Sequence, residues 1–328
     1  MKILVVRFSS IGDIVLTFPV LRGIKEQLPK AELHFLTKAS YKELITASKH
    51  IDKVHLLNGK LDELIPSLKV ENYDVIIDLH NNLRTRILSY KLGKKCYRFP
   101  KLNFQKWLLT QWKIDRLPKV HIVERYFEAV KNIGVTNDFK NNEFSIPEKH
   151  HISILNQLGF QEKKYLAVAI GAQFATKRIP ESKLLEILEK VNLPIVLLGG
   201  KEDVKQAQIL CDKLNHKSIQ SVCGNFSILQ SASIVSQAKV LLSNDTGLMH
   251  IAACFSVPII SVWGNTVPEL GMYPYKPEKE VKCTTFEVAN LSCRPCSKIG
   301  YQACPKKHFD CMMKQDANEI AKEISNSY

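Results

Sequence analysis

The sequence predicts an α/β fold built from two successive doubly wound parallel sheets. Three observations carry this. Short apolar runs of β character alternate with helical patterns through the first 134 residues. That rhythm fails in the polar stretch VTNDFKNNEFSIPEKHH, which begins at Val135. A second alternating series opens at Tyr165. Strand and helix signals in alternation imply parallel strands with helices on both faces, and 328 residues accommodate two such domains. The boundary is expected at residue 150, giving two Rossmann-like domains, 1–150 and 151–328, that face a central cleft.

Taken in order, the runs Lys2–Phe8, Glu32–Thr37, Lys53–Leu57, Asp74–Leu79 and Lys95–Phe99 read as the strands of the first domain. After the first of them Ile14, Val15, Phe18, Leu21, Ile24 and Leu28 recur at helical spacing. Pro19 within that pattern marks a kink or a late helix start. The turn between strand and helix passes through Ser9, Ser10 and Gly12, and Gly12 stands alone. The G-x-G-x-x-G fingerprint is therefore absent, which argues against a dehydrogenase. Asp13, just beyond, is a poor neighbour for a phosphate. In the second half the runs Tyr165–Ile170, Pro194–Leu198, Val240–Ser243 and Val257–Val262 read as strands. A last helical pattern, from about Asp316, is expected to pack back on the first domain.

The composition is that of an ordinary globular protein, 45% hydrophobic and 24% charged. No apolar run approaches the roughly 20 residues of a membrane helix, and Ile3–Val6 is too short for a signal-peptide core. A cytoplasmic protein is expected, with its nine cysteines as thiols or metal ligands. The net charge of +14 calls for an anionic partner. It concentrates between Arg84 and Arg125, where twelve Lys or Arg face two acids, Asp115 and Glu124. Tyr97, Phe99, Phe104, Trp107, Leu108, Leu109 and Trp112 are interleaved with them. This is either a solvated face over local core aromatics or a surface for anionic lipid or phosphorylated sugar. Near the other end, Cys293, Cys296, Cys304 and Cys311 follow the pattern C-x2-C-x7-C-x6-C, with Cys283 and His308 nearby. With a single C-x-x-C, this reads as a structural zinc site or a thiol-rich loop.

The turn Asn244-Asp245-Thr246-Gly247 between a buried strand and a helix exposes backbone N–H groups at the positive end of the helix, a candidate anion site. Plain capping by Asp245 or Thr246 is the simpler alternative, and His250 on that helix reads first as a core histidine. Lys177, ahead of Pro180, suits a diphosphate as a point charge. Glu202 and Asp203, after Gly199-Gly200, suit ribose hydroxyls or a helix start.

Taken together and in order, these residues resemble the bacterial lipopolysaccharide heptosyltransferases, which are glycosyltransferases of the GT-B type. The resemblance spans nearly the whole chain. It rests on Arg7…Gly12-Asp13, on Asp78-Leu79 with Arg84 after it, on Lys177 before Pro180, on Asp245-Thr246-Gly247-x-x-His250-Ile-Ala-Ala, and on Gly264-x-Thr266-x-Pro268. It implies inverting transfer of heptose from an ADP-heptose donor to a sugar hydroxyl of the phosphorylated lipopolysaccharide inner core, at the anionic inner face of the inner membrane. Asp13 is then the general base, and Ser10, Gly12 and Arg84 hold the acceptor. Lys177, Thr246 and Gly247 face the donor diphosphate, Asp245 and His250 contact the donor, and Glu202 or Asp203 binds the adenosine ribose. No cofactor, metal or nucleic acid is expected to take part. The chain departs from its relatives at Ala172-Gln173, where they carry hydroxyl residues. The alternatives are a glycosyltransferase using another nucleotide sugar and a basic nucleic-acid-binding protein, the latter lacking any recognised module.

Overall fold

Eleven strands form two wholly parallel sheets in the computed structural model, which describes residues 1–327. The first unit comprises Met1–Lys101 and Val120–Ser145. Its strands β1 (Lys2–Val6), β2 (Glu32–Lys38), β3 (Lys53–Leu57), β4 (Val75–Asp78) and β5 (Lys95–Arg98) lie in the order β3-β2-β1-β4-β5. The second unit comprises Leu102–Lys119 and residues 146–327. Its strands β6 (Leu166–Ala169), β7 (Ile195–Leu198), β8 (Ile219–Ser221), β9 (Val240–Asn244), β10 (Ile259–Trp263) and β11 (Cys283–Glu287) lie in the order β11-β10-β9-β6-β7-β8. The central strands read as unbroken apolar runs because both faces are covered by helices. Ile3, Leu4, Val5 and Val6 are fully buried, as are Leu166, Ala167 and Val168.

Every strand expected from the sequence is present, shortened by up to two residues at either end or extended by one. Two were not expected, β8 and β11. The first is three residues long, and the second alternates exposed and half-buried positions, so neither gives an apolar run. The first helical pattern is two helices, Ile11–Val15 and Phe18–Gln27. Pro19 is the second residue of the latter, where its missing N–H leaves no bond unmade.

The last helix, Ala317–Ser325, is part of the second unit. Its apolar stripe of Ala317, Ile320, Ala321 and Ile324 belongs to the core of the second unit, with Leu184, Leu188 and Val262. Asp316 fixes its start by accepting from the N–H groups of Asn318 and Glu319 at 2.9 and 3.1 Å. The segment Leu102–Lys119 lies before the expected boundary yet belongs to the second unit. Leu109 packs with Val267, Leu270 and Leu117, and Lys113 Nζ donates to Pro295 O at 2.7 Å.

The first unit buries one polar cluster at the amino end of its sheet. Tyr73 Oη lies 2.9 Å from both His34 Nδ1 and His55 Nε2, and the two ring nitrogens lie 3.2 Å apart. His34 Nε2 lies 2.8 Å from Glu32 Oε1. Glu71 stands beside the rings, held down at about 2 by Lys53 and Lys2. Burial, then the neighbouring His34, pushes His55 down to about 4. A base whose folded value is depressed binds more protons when unfolded, so its stabilisation is whole above the ordinary value and is lost on acidification. The chain should therefore lose stability as pH falls from about 6.5 towards 4, before most carboxylates titrate. The check is the urea midpoint between pH 7 and 4.5 for the parent and for His55→Gln. The variant should show a visibly shallower fall, and equal slopes would refute the assignment.

Candidate functional site

Each sheet is entered at a central strand, wound outward in one direction and then resumed on the other side of that strand. The loops leaving β1 and β4, and those leaving β6 and β9, therefore diverge, and the carboxyl ends of these neighbours are where doubly wound sheets bind ligands. Polar clusters sit at both places.

In the first unit the chain leaves β1 through Arg7, which is only 7% exposed. Its guanidinium donates to Ser9 O at 2.7 Å and to Leu79 O at 2.5 Å, which ties the exits of β1 and β4 together. The Ser9–Ser10 peptide is cis. Ser10 then caps the helix Ile11–Val15, and Asp13 occupies its third position. Ser10 Oγ donates to Asp13 Oδ2 at 3.0 Å, and Arg7 Nη2 pairs with the same oxygen at 2.6 Å. The other carboxylate oxygen, Oδ1, has Tyr126 Oη at 3.5 Å, and Tyr126 also accepts from Arg7 Nη1 at 3.1 Å. Burial opposes the charge of Arg7, but Asp13 and Tyr126 offset it and leave its pKa above the ordinary value. Burial likewise raises the Tyr126 phenol. His80, beyond β4, is held at about 3 by burial and by Arg7, so its ring is neutral at pH 7.

Asp78 ends β4 fully buried. Its Oδ1 accepts from His80 N at 3.0 Å and Asn81 N at 2.7 Å, and its Oδ2 from Arg98 Nε at 3.2 Å. It shapes the turn into the helix Leu83–Leu92. Arg84 stands exposed on the first turn of that helix, without an ion pair among the described residues. Gly12 is buried inside the Ile11–Val15 helix, so it contributes backbone alone.

In the second unit Lys177 closes the short helical turn Ala175–Lys177 after β6, and Asp245 follows β9. They meet at 2.6 Å between Nζ and Oδ2. Thr266 Oγ1, from the loop after β10, donates to the same carboxylate oxygen at 2.8 Å. Arg294 fixes that loop by donating to Gly264 O at 2.7 Å and Thr266 O at 3.0 Å. Gly264 permits the approach, since a Cβ there would lie 2.8 Å from Thr176 O. Thr246 adopts an extended conformation at the head of the helix Gly247–Ala252, and its side chain makes no cap bond. Pro180 is the capping position of the helix Glu181–Glu189 rather than its first residue.

Glu202 and Asp203 separate cleanly. Asp203 is 1% exposed, pairs with Arg178 Nη1 at 2.9 Å and accepts from Gly200 N at 2.8 Å. Burial leaves its pKa above the ordinary carboxylate value despite those contacts. Glu202 is exposed. His250 is 3% exposed within its helix, a core position for a residue singled out as a donor contact. Ala172 uses its carbonyl to accept from Arg178 Nε at 2.8 Å, while Gln173 is exposed.

Tyr126, Thr266 and Arg294 take part without a role expected for them from the sequence. Thr266 lies within a recognised motif. Tyr126 approaches Asp13 from 113 residues away, and Arg294 sits inside the C-x-x-C. All nine cysteines are free thiols. Cys293 Sγ lies 3.9 Å from His308 Nε2, and burial followed by neighbouring thiols raises Cys296, and Cys311 to about 12. Among the described residues, the one group of three potential metal ligands is His34, His55 and Glu71 in the first unit.

Residues 62–302 match the model of glycosyltransferase family 9 (heptosyltransferase). Lipopolysaccharide heptosyltransferase 1 of Campylobacter coli is 23% identical over 292 residues, covering 81% of this chain and 84% of that protein. Among solved structures, a family 9 glycosyl transferase of Veillonella parvula superposes with a TM-score of 0.71 at 20% identity, covering 87% of this chain and 85% of that one. The E. coli heptosyltransferase WaaC with ADP gives 0.71 at 19% identity, with both chains covered in full. The fold is therefore that of the GT-B heptosyltransferases.

Arg178→Ala should strand the buried Asp203 with only the Gly200 N–H and cost about 3 kcal/mol of stability. Urea unfolding measures it. Asp203→Asn added to Arg178→Ala should recover part of the loss. A single variant as stable as the parent would show that the pair is not needed.

Proposed function

Because the chain belongs to glycosyltransferase family 9, the heptosyltransferases, we propose that it transfers heptose with inversion from ADP-heptose to a sugar hydroxyl of the lipopolysaccharide inner core. The observation that carries this reading is the placement of one polar cluster at the switch point of each sheet: an acid–arginine pair in the first unit and a lysine–acid pair in the second.

The reaction is a single displacement. The acceptor oxygen forms a bond to the anomeric carbon while the bond from that carbon to the ADP phosphate oxygen breaks. The hydroxyl proton passes to Asp13, and ADP departs with its negative charge. Oδ2 of Asp13 pairs with Arg7 and accepts from Ser10, and Tyr126 Oη lies 3.5 Å from Oδ1. Arg7 and Ser10 hold the carboxylate, and Arg84 takes a phosphate of the acceptor.

On the donor side Lys177 faces the diphosphate. An ammonium has three donors and can serve the phosphate while keeping Asp245. Asp245, steadied by Thr266, accepts from a heptose hydroxyl, and the N–H groups of Thr246 and Gly247 face the diphosphate. Glu202 binds the ribose, since Asp203 is spent on Arg178 and Gly200. His250 supports the helix from within. No helix among the described residues is long and apolar enough to cross a membrane. The chain works at the cytoplasmic face of the inner membrane, held there by its positive charge, and nucleic acid is not a partner.

Calorimetric titration with ADP, with UDP, GDP and a short RNA as controls, tests this. ADP should bind selectively, and Lys177→Ala should weaken it about tenfold or more, the loss of one charge-assisted contact. Asp13→Ala should bind ADP like the parent yet lose about a hundredfold or more in turnover. A variant at Asp13 that keeps most of its turnover would end the base assignment. Tight, salt-sensitive RNA binding without nucleotide binding would overturn the donor reading.

A further inference from the structure

The helix Asn103–Trp112 of the second unit has two apolar faces where a surface helix needs one. The inward face carries Leu109, packed with Val267, Leu270 and Leu117. At 3.6 residues per turn, Phe104 and Trp107 fall opposite Leu109, Leu108 lies on the flank between, and Trp112, in the last turn, stands exposed one turn beyond Leu108. The outward rings are bare: Phe104 is 66% exposed, Trp107 48% and Trp112 65%. Phe104 and Trp107 stack on one another, with centroids 6.0 Å apart and planes 21° from parallel. Ile114, two residues past the helix, is 45% exposed. Contiguous exposed aromatics of this kind mark a surface that something covers.

The charges around the ridge say what covers it. Within Leu102–Lys119 there are four cations, Lys106, Lys113, Arg116 and Lys119, and one acid, Asp115. Lys113 is spent on the carbonyls of Thr110 and Pro295. Arg116 and Lys119 are exposed and make no ion pair among the described residues. An apolar ridge rich in tryptophan, flanked by unpaired cations, matches the headgroup region of an anionic bilayer, where indole rings sit at the boundary and Lys or Arg reach lipid phosphates. The helix Leu83–Leu92 of the first unit repeats the pattern, with Leu83, Ile87 and Tyr90 exposed at spacings of four and three beside Arg84 and Arg86.

We infer that Phe104, Trp107, Trp112 and Ile114 insert at the headgroup–acyl boundary of an anionic membrane, with Arg116 and Lys119 on the lipid phosphates. This rests on the reading above that the chain works at a membrane surface, and it names the element that does so.

The chain supplies its own probe. It has three tryptophans, and the third, Trp263, is fully buried. Full-length protein is titrated with vesicles of phosphatidylethanolamine and phosphatidylglycerol, and separately with phosphatidylcholine vesicles. Indole emission should shift to the blue and the protein should sediment with the anionic vesicles only. Trp107→Ser with Trp112→Ser should lower vesicle affinity about tenfold or more, and Arg116→Gln with Lys119→Gln should remove most of the salt dependence. Unchanged Trp263 emission and turnover on a lipid-free acceptor show that these exposed substitutions leave the fold intact. If the parent binds anionic vesicles and the tryptophan variant binds them equally well, the helix assignment is overturned while the membrane reading stands. If the parent binds neither vesicle, both fall, and the transferase reading is judged separately by ADP binding.

Discussion

The order in which the chain visits its strands governs where chemistry can occur. In each sheet the chain begins at a central strand, winds outward, then returns to the other side of that strand. The central strands are apolar over most of their length on both faces, and the buried histidines of the first sheet, His34 and His55, sit on β2 and β3. Where neighbouring loops diverge, polar groups can gather at the carboxyl ends of the strands without being enclosed. Arg7 and Leu79 leave the two strands on either side of the reversal in the first unit, and one hydrogen bond joins them. Lys177 and Asp245 do the same in the second unit through an ion pair. The polar residues assigned to the two sites lie near these reversals, where the apolar central strands end.

A division of labour among carboxylates follows. In each unit an aspartate beside the site is spent on architecture. Asp78 accepts two backbone N–H groups and Arg98, and so fixes the turn after β4. Asp203 accepts Gly200 N and pairs with Arg178, and so fixes the turn after β7. Both are essentially buried and fully engaged. Asp13 and Glu202 keep more contact with solvent. A carboxylate saturated with donors is a poor base and a poor acceptor for a sugar hydroxyl, which is why the proposed reaction draws on Asp13 and Glu202 rather than on these two.

What could be read from the sequence follows the same physics. The central strands were legible because burial on both faces demands unbroken apolar runs, whereas β8 and β11 at the sheet edges carry no such demand. The break near Thr17 was signalled only by Pro19. The transfer of Leu102–Lys119 to the second unit was illegible, because its anchor, Leu109, reads like any helical leucine and two of its partners, Val267 and Leu270, lie far away in the chain. Tyr126 was invisible for the same reason. The choice between Glu202 and Asp203 needed the position of Arg178, since the two acids are adjacent and chemically equivalent in sequence.

The lysine–acid pair of the second unit raises a last point about the role of Thr266. In the proposed reaction the Lys177 ammonium also meets a diphosphate, which carries more charge than a carboxylate, so its pairing with Asp245 would weaken as that contact strengthens. Were Lys177 the sole partner, Asp245 would be left buried and unheld, a costly state for a carboxylate. Thr266 prevents this. Its hydroxyl donates to the same oxygen, and its loop is fixed by Arg294 through two carbonyls, independently of Lys177. Arg294 is in turn paired with Glu287 at 2.7 Å, at the end of β11. The orientation of Asp245 is thus secured by Thr266 and by the tie of its loop through Arg294 to the end of β11, so that in the proposed reaction Lys177 can turn to the diphosphate while the carboxylate keeps its place.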